Sequence, residues 1–252
     1  EPIQGDSLVV RAQTGIDLLA TEVNDAVLVN HGSTGAIRLI ETAGGGALTL
    51  LHAEQTDANG DGIFVQTLST DSTNPGHLTV LPGSGQSLQA PGDIGLRAGG
   101  NLVLSTAANL VAGGSVELEA GSSVIMAATV SSVRSERSVI AGGDVRVQAG
   151  ADIAVGSITA ATGHVALIAG GSITDGDDTL DISALGLYLQ SGSTGGVGAG
   201  SDALDISVDR LAISVGSGSA FVNESSALTV DTVLVSVNRW ASNTTVTSLS
   251  DS

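Results

Sequence analysis

Four stretches of the sequence align with one another without a gap. They read GDIGLRAGGNLVL (92–104), GGSVELEAGSSVIM (113–126), GGDVRVQAGADIAV (142–155) and TGHVALIAGGSIT (162–174). In each, two aliphatic residues separated by one other residue are followed by Ala and Gly, and the alternation resumes after a short turn. Alternation with period two is typical of a β-strand. A strand–corner–strand unit that recurs every 20 to 29 residues indicates a solenoid, because one unit alone cannot bury its apolar face.

The repeat predicts an all-β fold, a right-handed parallel β-helix (β-solenoid) that forms one elongated domain over 1–252. Residues 91–236 are predicted to form regular coils, 1–90 irregular coils with loop excursions, and 237–252 a terminal coil or tail. About 10 to 12 coils, each advancing about 4.8 Å, would form a rod about 50 Å long. The first aliphatic position of the regular coils recurs at 94, 116, 145, 165, 187 and 211. In the irregular part, strands are predicted near 37–39, 48–50, 63–65 and 78–80.

The beginning of the chain fits the same template loosely. Residues 8–12 match the first strand and 16–18 the second, although Gln13 stands where Gly is expected. Three prolines between 74 and 92 predict a loop excursion, because proline cannot donate a hydrogen bond to a central strand ladder.

Composition limits both the core and the partners. Aromatic residues make up 2% and all hydrophobic residues 42%, so Val, Leu, Ile and Ala must fill the interior.

The net charge is −18, with 26 acidic residues, 8 Lys plus Arg, and no Cys. Nucleic acid and anionic membrane surfaces are excluded as partners, because both are bound mainly through cations. The sequence contains no run of about 18 apolar residues, so membrane insertion is not predicted. Because there is no Cys, a disulfide framework and a Cys-ligated metal are excluded.

The ends of the sequence are typical of a segment of a longer chain. Glu1 is not preceded by Met or by a leader, and a strand begins almost at once. A solenoid needs caps on its terminal coils, and the tail contains no amphipathic helix. We therefore expect a piece of a longer array, or end-to-end stacking, and a processed product is the alternative. Trp240 is either a modest cap or an ordinary surface residue.

Two blocks carry a family resemblance. They read GHVALIAGGSITD (163–175) and TGGVGAGSDALDISVDRLAISVGSGSAFVNESSALTV (194–230). Together they resemble the repeats of large bacterial exoproteins of the filamentous haemagglutinin type, and the likeness covers about 90–230. The resemblance implies an extracellular or cell-surface rod that acts as an adhesin or biofilm component and has no catalytic residue. Its partners would be further repeats, lateral or end-to-end copies, and a host or matrix ligand.

One motif has the spacing of calcium ligands. Asp57, Asn59 and Asp61 precede Gly62 in a D-x-N-x-D-G pattern, which can place three side-chain oxygens around Ca²⁺. Position twelve of such a loop is Leu68 rather than Glu, and a β-strand follows directly. The motif is therefore either a calcium site or an Asx-rich turn. No other cofactor is expected.

A second acidic cluster raises two further possibilities. Asp175, Asp177, Asp178 and Asp181 resemble a calcium-binding Gly-Asp repeat, but the pattern occurs once, which favours a structural turn. Acid–base cleavage of a glycan needs paired carboxylates. The candidate set that the sequence offers for it is Asp177 and Asp178 with His164. Adjacent strand residues point to opposite faces, so an enzyme is not expected.

Two alternatives to a structural and adhesive rod therefore remain open. One is a glycan-active β-helix enzyme or carbohydrate-binding protein, and the other is a calcium-stabilised, self-assembling filament subunit. The four histidines, His31, His52, His77 and His164, share no metal-ligand spacing and are predicted to be scattered surface residues.

Overall fold

The computed structural model describes residues 1–32, 34–56, 61–81, 87–126, 138–176, 179–240 and 246–252. Within these ranges there is no helix that is long and apolar enough to cross a membrane. The strands are β1 Ile3–Ala12, β2 Ile16–Asn30, β3 Ile37–Glu41, β4 Leu48–Gln55, β5 Ile63–Thr67, β6 Leu78–Val80, β7 Leu88–Ala90, β8 Ile94–Ala98, β9 Leu102–Leu104, β10 Asn109–Ala112, β11 Val116–Ala120, β12 Val124–Ile125, β13 Ser138–Ala141, β14 Val145–Ala149, β15 Ile153–Val155, β16 Ser157–Ala169, β17 Ile173–Asp175, β18 Ile182–Gln190, β19 Leu204–Ser214, β20 Val222–Glu224, β21 Thr229–Val230, β22 Val235–Trp240 and β23 Val246–Asp251.

Parallel pairing between successive coils arranges the strands in three stacks. The first face contains β3, β5, β8, β11, β14 and β21, the start of β2, and the C-terminal halves of β16, β18 and β19. The second face contains β6, β9, β12, β15, β17 and the start of β4. The third face contains β7, β10, β13 and β20, the ends of β1, β2 and β4, and the N-terminal halves of β16, β18 and β19. The predicted parallel β-helix is therefore confirmed.

The register joins the predicted repeat positions in order. The residues that pair from coil to coil on the first face are Ile94, Val116, Val145, Val165, Leu187 and Leu211. All are buried, and the strands predicted in the irregular part are present as β3 to β6. In the described part of the chain the first face is built from strand segments at 16, 37, 63, 94, 116, 145, 165, 187, 211 and 229. One aliphatic column therefore runs through the stack from 16 to 211 and buries apolar surface at each of these coils. In the last coil, Val230 pairs with Leu211 and is 75% exposed.

Glycines after the alanine row stand where successive coils come closest. A Cβ built on Gly121 would lie 2.2 Å from the carbonyl oxygen of Gly99, and one on Gly150 would lie 2.2 Å from that of Gly121. None of the three has a positive φ. Close approach of two backbones, rather than a left-handed conformation, is therefore what requires glycine here.

Polar side chains at the turns tie neighbouring coils together. The carboxylates of Asp93, Asp144 and Asp152 each accept a hydrogen bond from a backbone N–H of the next coil, at 2.7–2.8 Å. Asn101 and Asp181 do the same, at 3.0 and 2.7 Å. The backbone donors at these turns need an acceptor, so part of the acidic excess is structural.

The template match at the start of the chain is out of phase with the structure. Residues 8–12 lie on the third face and pair with 26–30. Residues 16–18 begin the first face and pair with 37–39. The corner between them is at Gly15, whose φ of 100° is a left-handed conformation that glycine adopts without steric cost.

Two of the three prolines between 74 and 92 lie between strands. Pro75 lies in the loop between β5 and β6, where it forms an antiparallel bridge with Thr70, and Pro91 lies in the turn between β7 and β8. Pro82 lies outside the described residues.

The first third of the chain places polar residues where the later coils place alanine. Ala98 takes the position at the end of its first-face strand. The same position in the three preceding coils is taken by Thr21, Glu41 and Thr67. Glu41 is fully buried and accepts hydrogen bonds from Thr21 Oγ1 at 2.6 Å and from the Val23 N–H at 2.9 Å. Burial raises the pKa of Glu41 above 4.5, although these two hydrogen bonds lower it in part.

Replacing this buried carboxyl by an amide should stabilise the protein at neutral pH. A raised pKa means that the folded state of the wild type loses stability as the pH rises from 4.5 towards the pKa of the folded form. Glu41→Gln should therefore increase the free energy of unfolding by about 1 kcal/mol at pH 7, and the gain should shrink at pH 4. Denaturant unfolding at both pH values measures it, with the exposed Glu1→Gln as control. An equal effect at both pH values would contradict the expectation.

Candidate functional site

After β21 the chain leaves the coils and turns back along the outside of the first face. β22 and β23 form an antiparallel hairpin in which Val235 lies opposite Asp251 and Trp240 opposite Val246. β22 contacts β8, β11, β14 and β16. Within the described residues the hairpin pairs with no strand of the coils, so it crosses the stack rather than extending it.

Apolar side chains anchor the beginning of the hairpin. Val233, Val235 and Val237 are buried and pack on the outer side of the first face against Ala166, Ile168, Tyr188 and Ala212. A Cβ on Gly186 would lie 3.1 Å from a methyl group of Val233. Small outward residues therefore leave room for the valines, and the contact removes apolar surface from water.

Charged residues of opposite sign meet in the middle of the contact. Glu117 is 1% exposed and accepts a hydrogen bond of 2.6 Å from Arg239 Nε of the hairpin. Arg239 also contacts Glu119. Arg146 lies on the neighbouring coil, donates to Asp251 of the hairpin at 2.5 Å and has its Nη1 3.9 Å from Glu117. The face contributes two carboxylates and one guanidinium, and the hairpin contributes one charge of each sign. Such buried pairs specify one arrangement because an unpaired buried charge is costly.

Two of the turn carboxylates hold the hairpin as well as the coils. Asp144 accepts a hydrogen bond from the Ser236 N–H at 2.7 Å. Asp93 accepts one from Asn238 Nδ2 at 3.0 Å. Each carboxylate uses its other oxygen for the next coil, so the positions of these side chains are fixed before the hairpin docks.

Trp240, the last residue of β22, makes an aromatic contact and a cation–π contact with the coils. The Trp240 ring lies 4.2 Å from the ring of Phe64, between centroids, and 3.9 Å from Cζ of Arg38, a distance typical of a cation–π interaction. Gly95 pairs with Phe64, and a Cβ there would lie 2.8 Å from the Phe64 ring. Trp240 thus packs on the side of the rod, a role that the sequence did not indicate.

The predicted calcium ligands are only partly described. Asp57 and Asn59 lie outside the described residues. Asp61 Oδ2 accepts a hydrogen bond of 2.6 Å from the Gly35 N–H, which ties this turn to the preceding coil. Within the described ranges, no group of three or more His, Asp or Glu side chains is arranged to hold a metal ion. The calcium site stays a prediction.

The second acidic cluster is likewise incomplete. Asp177 and Asp178 lie outside the described residues, so their pairing with His164 is untested. The backbone N–H of His164 donates a hydrogen bond to Asp144 Oδ1. The ring Nδ1 of His164 lies 3.5 Å from the same oxygen. Asp181 is buried and accepts a hydrogen bond from the Asp205 N–H.

Stacking brings together two histidines that looked unrelated in the sequence. His31 Nε2 and His52 Nε2 lie 3.2 and 3.3 Å from the same oxygen of Glu54. Glu54 is two residues after His52 on β4, and the end of β2, just before His31, pairs with this strand. Burial alone would raise the pKa of Glu54, but the hydrogen bonds and charges of the histidines outweigh it and hold the pKa below 4.5.

This cluster should make a small, pH-dependent contribution to stability. A lowered carboxyl pKa stabilises the folded state above pH 4.5, and the contribution is lost as the pH falls through the pKa of the folded form. Glu54→Gln should cost about 0.5 kcal/mol at pH 6, because the group is partly exposed and screened, and almost nothing at pH 3. Urea unfolding across this pH range measures the difference. A cost that grows towards pH 3 would contradict it.

Sequence and structure comparisons add no further constraint on function. Function therefore has to be inferred from the fold and from the face that the hairpin covers. No protein-family model matches the chain, and neither a curated protein nor a solved structure is significantly similar to it.

Proposed function

We propose that this chain is a structural and adhesive rod module of a bacterial surface or secreted exoprotein, acting outside the cell and without catalysis. The observation that carries the proposal is the unbroken register of the first face from Ile94 to Leu211. Each coil is held to the next by backbone ladders and buried aliphatic side chains, which is the construction of an extended solenoid with a long lateral surface.

The acidic residues support a structural role. At the turns, Asp93, Asp144 and Asp152 accept backbone hydrogen bonds from the following coil. These hydrogen bonds connect neighbouring coils. Asp93 and Asp144 also accept hydrogen bonds from the hairpin. The resemblance of 163–175 and 194–230 to exoprotein repeats points to the same use.

The third face supplies a surface for adhesion. Val9 is 63% exposed and Ile140 is 42% exposed, and both point outward from strands of this face. Covering such side chains with another surface would remove apolar area from water. We assign the contacts with further rods or with a matrix ligand to this face.

Bead adhesion tests this function. Beads coated with the protein should adhere to matrix-coated surfaces and to one another, and the double variant Val9→Ser with Ile140→Ser should lose most of this adhesion. Leu19→Ser, an exposed apolar residue of the first face, is the matched control and should adhere normally. Release of reducing ends from a polysaccharide panel would instead support a glycan-active protein. Adhesion equal to that of uncoated beads would overturn the proposal.

A further inference from the structure

The hairpin contacts the coils as a separate ligand would. Within the described residues, β22 pairs only with β23, and the contacts with the face are made by side chains and by the Ser236 N–H. The hairpin strands 235–240 and 246–251 therefore carry their own backbone pairing. Undocking them exposes side chains on both partners but breaks no strand ladder between hairpin and coils.

The segment that connects the hairpin to the last coil is exposed and weakly attached. Residues 225–232 are exposed apart from the partly buried Leu228. β21 pairs with β19 at two residues, and the Asp231 N–H donates to the Leu211 carbonyl at 3.1 Å. When released, these eight residues span up to about 26 Å, more than the roughly 10 Å between packed sheets.

Every charged contact between hairpin and face is complementary and distant in sequence. Arg239 of the hairpin meets Glu117, and Asp251 meets Arg146. A hairpin from a second copy carries the same charges, the same valines and the same Trp240. An unrelated strand would leave Glu117 without the donor that Arg239 supplies and Arg146 without the acceptor that Asp251 supplies, which is unfavourable in a buried contact.

We propose that the first face also binds the hairpin of a second copy of this chain, so that two rods are joined side by side by reciprocal exchange. An exchanged pair keeps every contact between hairpin and face. Only the contacts of the connecting segment, the short β21–β19 pairing and the Asp231 hydrogen bond, are given up. The closed monomer dominates in dilute solution, because the tether gives the hairpin an effective concentration in the millimolar range. Exchange becomes favourable where rods are crowded.

Two full-length variants test exchange through their mixture. The hairpin-defective variant carries Arg239→Ala and Trp240→Ala and so contains no tryptophan, because Trp240 is unique in the chain. The face-defective variant carries Phe64→Ala and Glu117→Ala and keeps Trp240. Each alone should be monomeric. Mixed at about 1 mM, they should form a species of twice the monomer mass, and the Trp240 emission should shift to shorter wavelength and become protected from iodide.

The control mixture replaces the hairpin-defective variant with one that carries all four substitutions. It has no competent face and should neither associate nor shift the Trp240 emission. Far-UV circular dichroism checks that each variant keeps its β-structure. The proposal is overturned if the first mixture remains monomeric with Trp240 accessible to iodide, or if the control mixture associates equally.

Discussion

Gly150→Ala should lower the free energy of unfolding by about 2–3 kcal/mol, an effect expected for overpacking between rigid groups. The added Cβ would lie 2.2 Å from the carbonyl oxygen of Gly121, and that oxygen belongs to a backbone held on both sides by neighbouring coils. Neither coil can move away without lengthening its ladder hydrogen bonds. Guanidinium unfolding followed by circular dichroism measures the loss.

Gly5→Ala is the matched control for this substitution. No heavy atom lies within 4 Å of a Cβ built on Gly5, so its effect should stay within about 0.5 kcal/mol. Equal effects at the two positions would mean that glycine is required for its backbone freedom and not for the spacing of the coils.

Glu117→Ala should release the hairpin from the first face. The change leaves Arg239 and Arg146 without their common acceptor in a buried contact, which costs about 3 kcal/mol. The hairpin can avoid this cost by undocking, so the loss of global stability cannot exceed the docking free energy. Trp240 should then leave Phe64 and Arg38, and its emission should move to longer wavelength.

Glu119→Ala is the control on the same strand. Its side chain is 24% exposed, so the loss should be about 0.5–1 kcal/mol and Trp240 should stay docked. Iodide quenching and denaturant unfolding of both variants separate undocking from global unfolding. If Trp240 is equally protected in both variants, the buried Glu117 contact does not hold the hairpin.

The sequence predicted the coils because the information that defines them is local. The spacing from Ile94 to Val116 and the Ala–Gly pair that ends each first strand reflect a backbone geometry repeated at every coil. The phase error near Gly15 arose because a period-two pattern fits any face equally well. Only the position of the corner glycine distinguishes the first face from the third.

The covered face could not be predicted in the same way. Arg239 and Glu117 are separated by 122 residues, and Trp240 meets Phe64 across a still longer stretch of sequence. No repeat relates these positions. The His31 and His52 pair around Glu54 was missed for a related reason, since it depends on the register between β2 and β4. A single signal was available, namely that Gly95, Ala166 and Gly186 place small residues on the outer side of one face.

The direction of the hairpin changes how such a rod can come apart. In a solenoid each coil touches only its neighbours, so the ends can fray independently of the middle. Here the segment from Val233, on Gly186, to Trp240, on Arg38, runs lengthwise along the face, and it bridges coils that never touch one another. An opening at any of these coils must also loosen the hairpin. The rod therefore acquires a cooperativity along its axis that stacking alone does not provide.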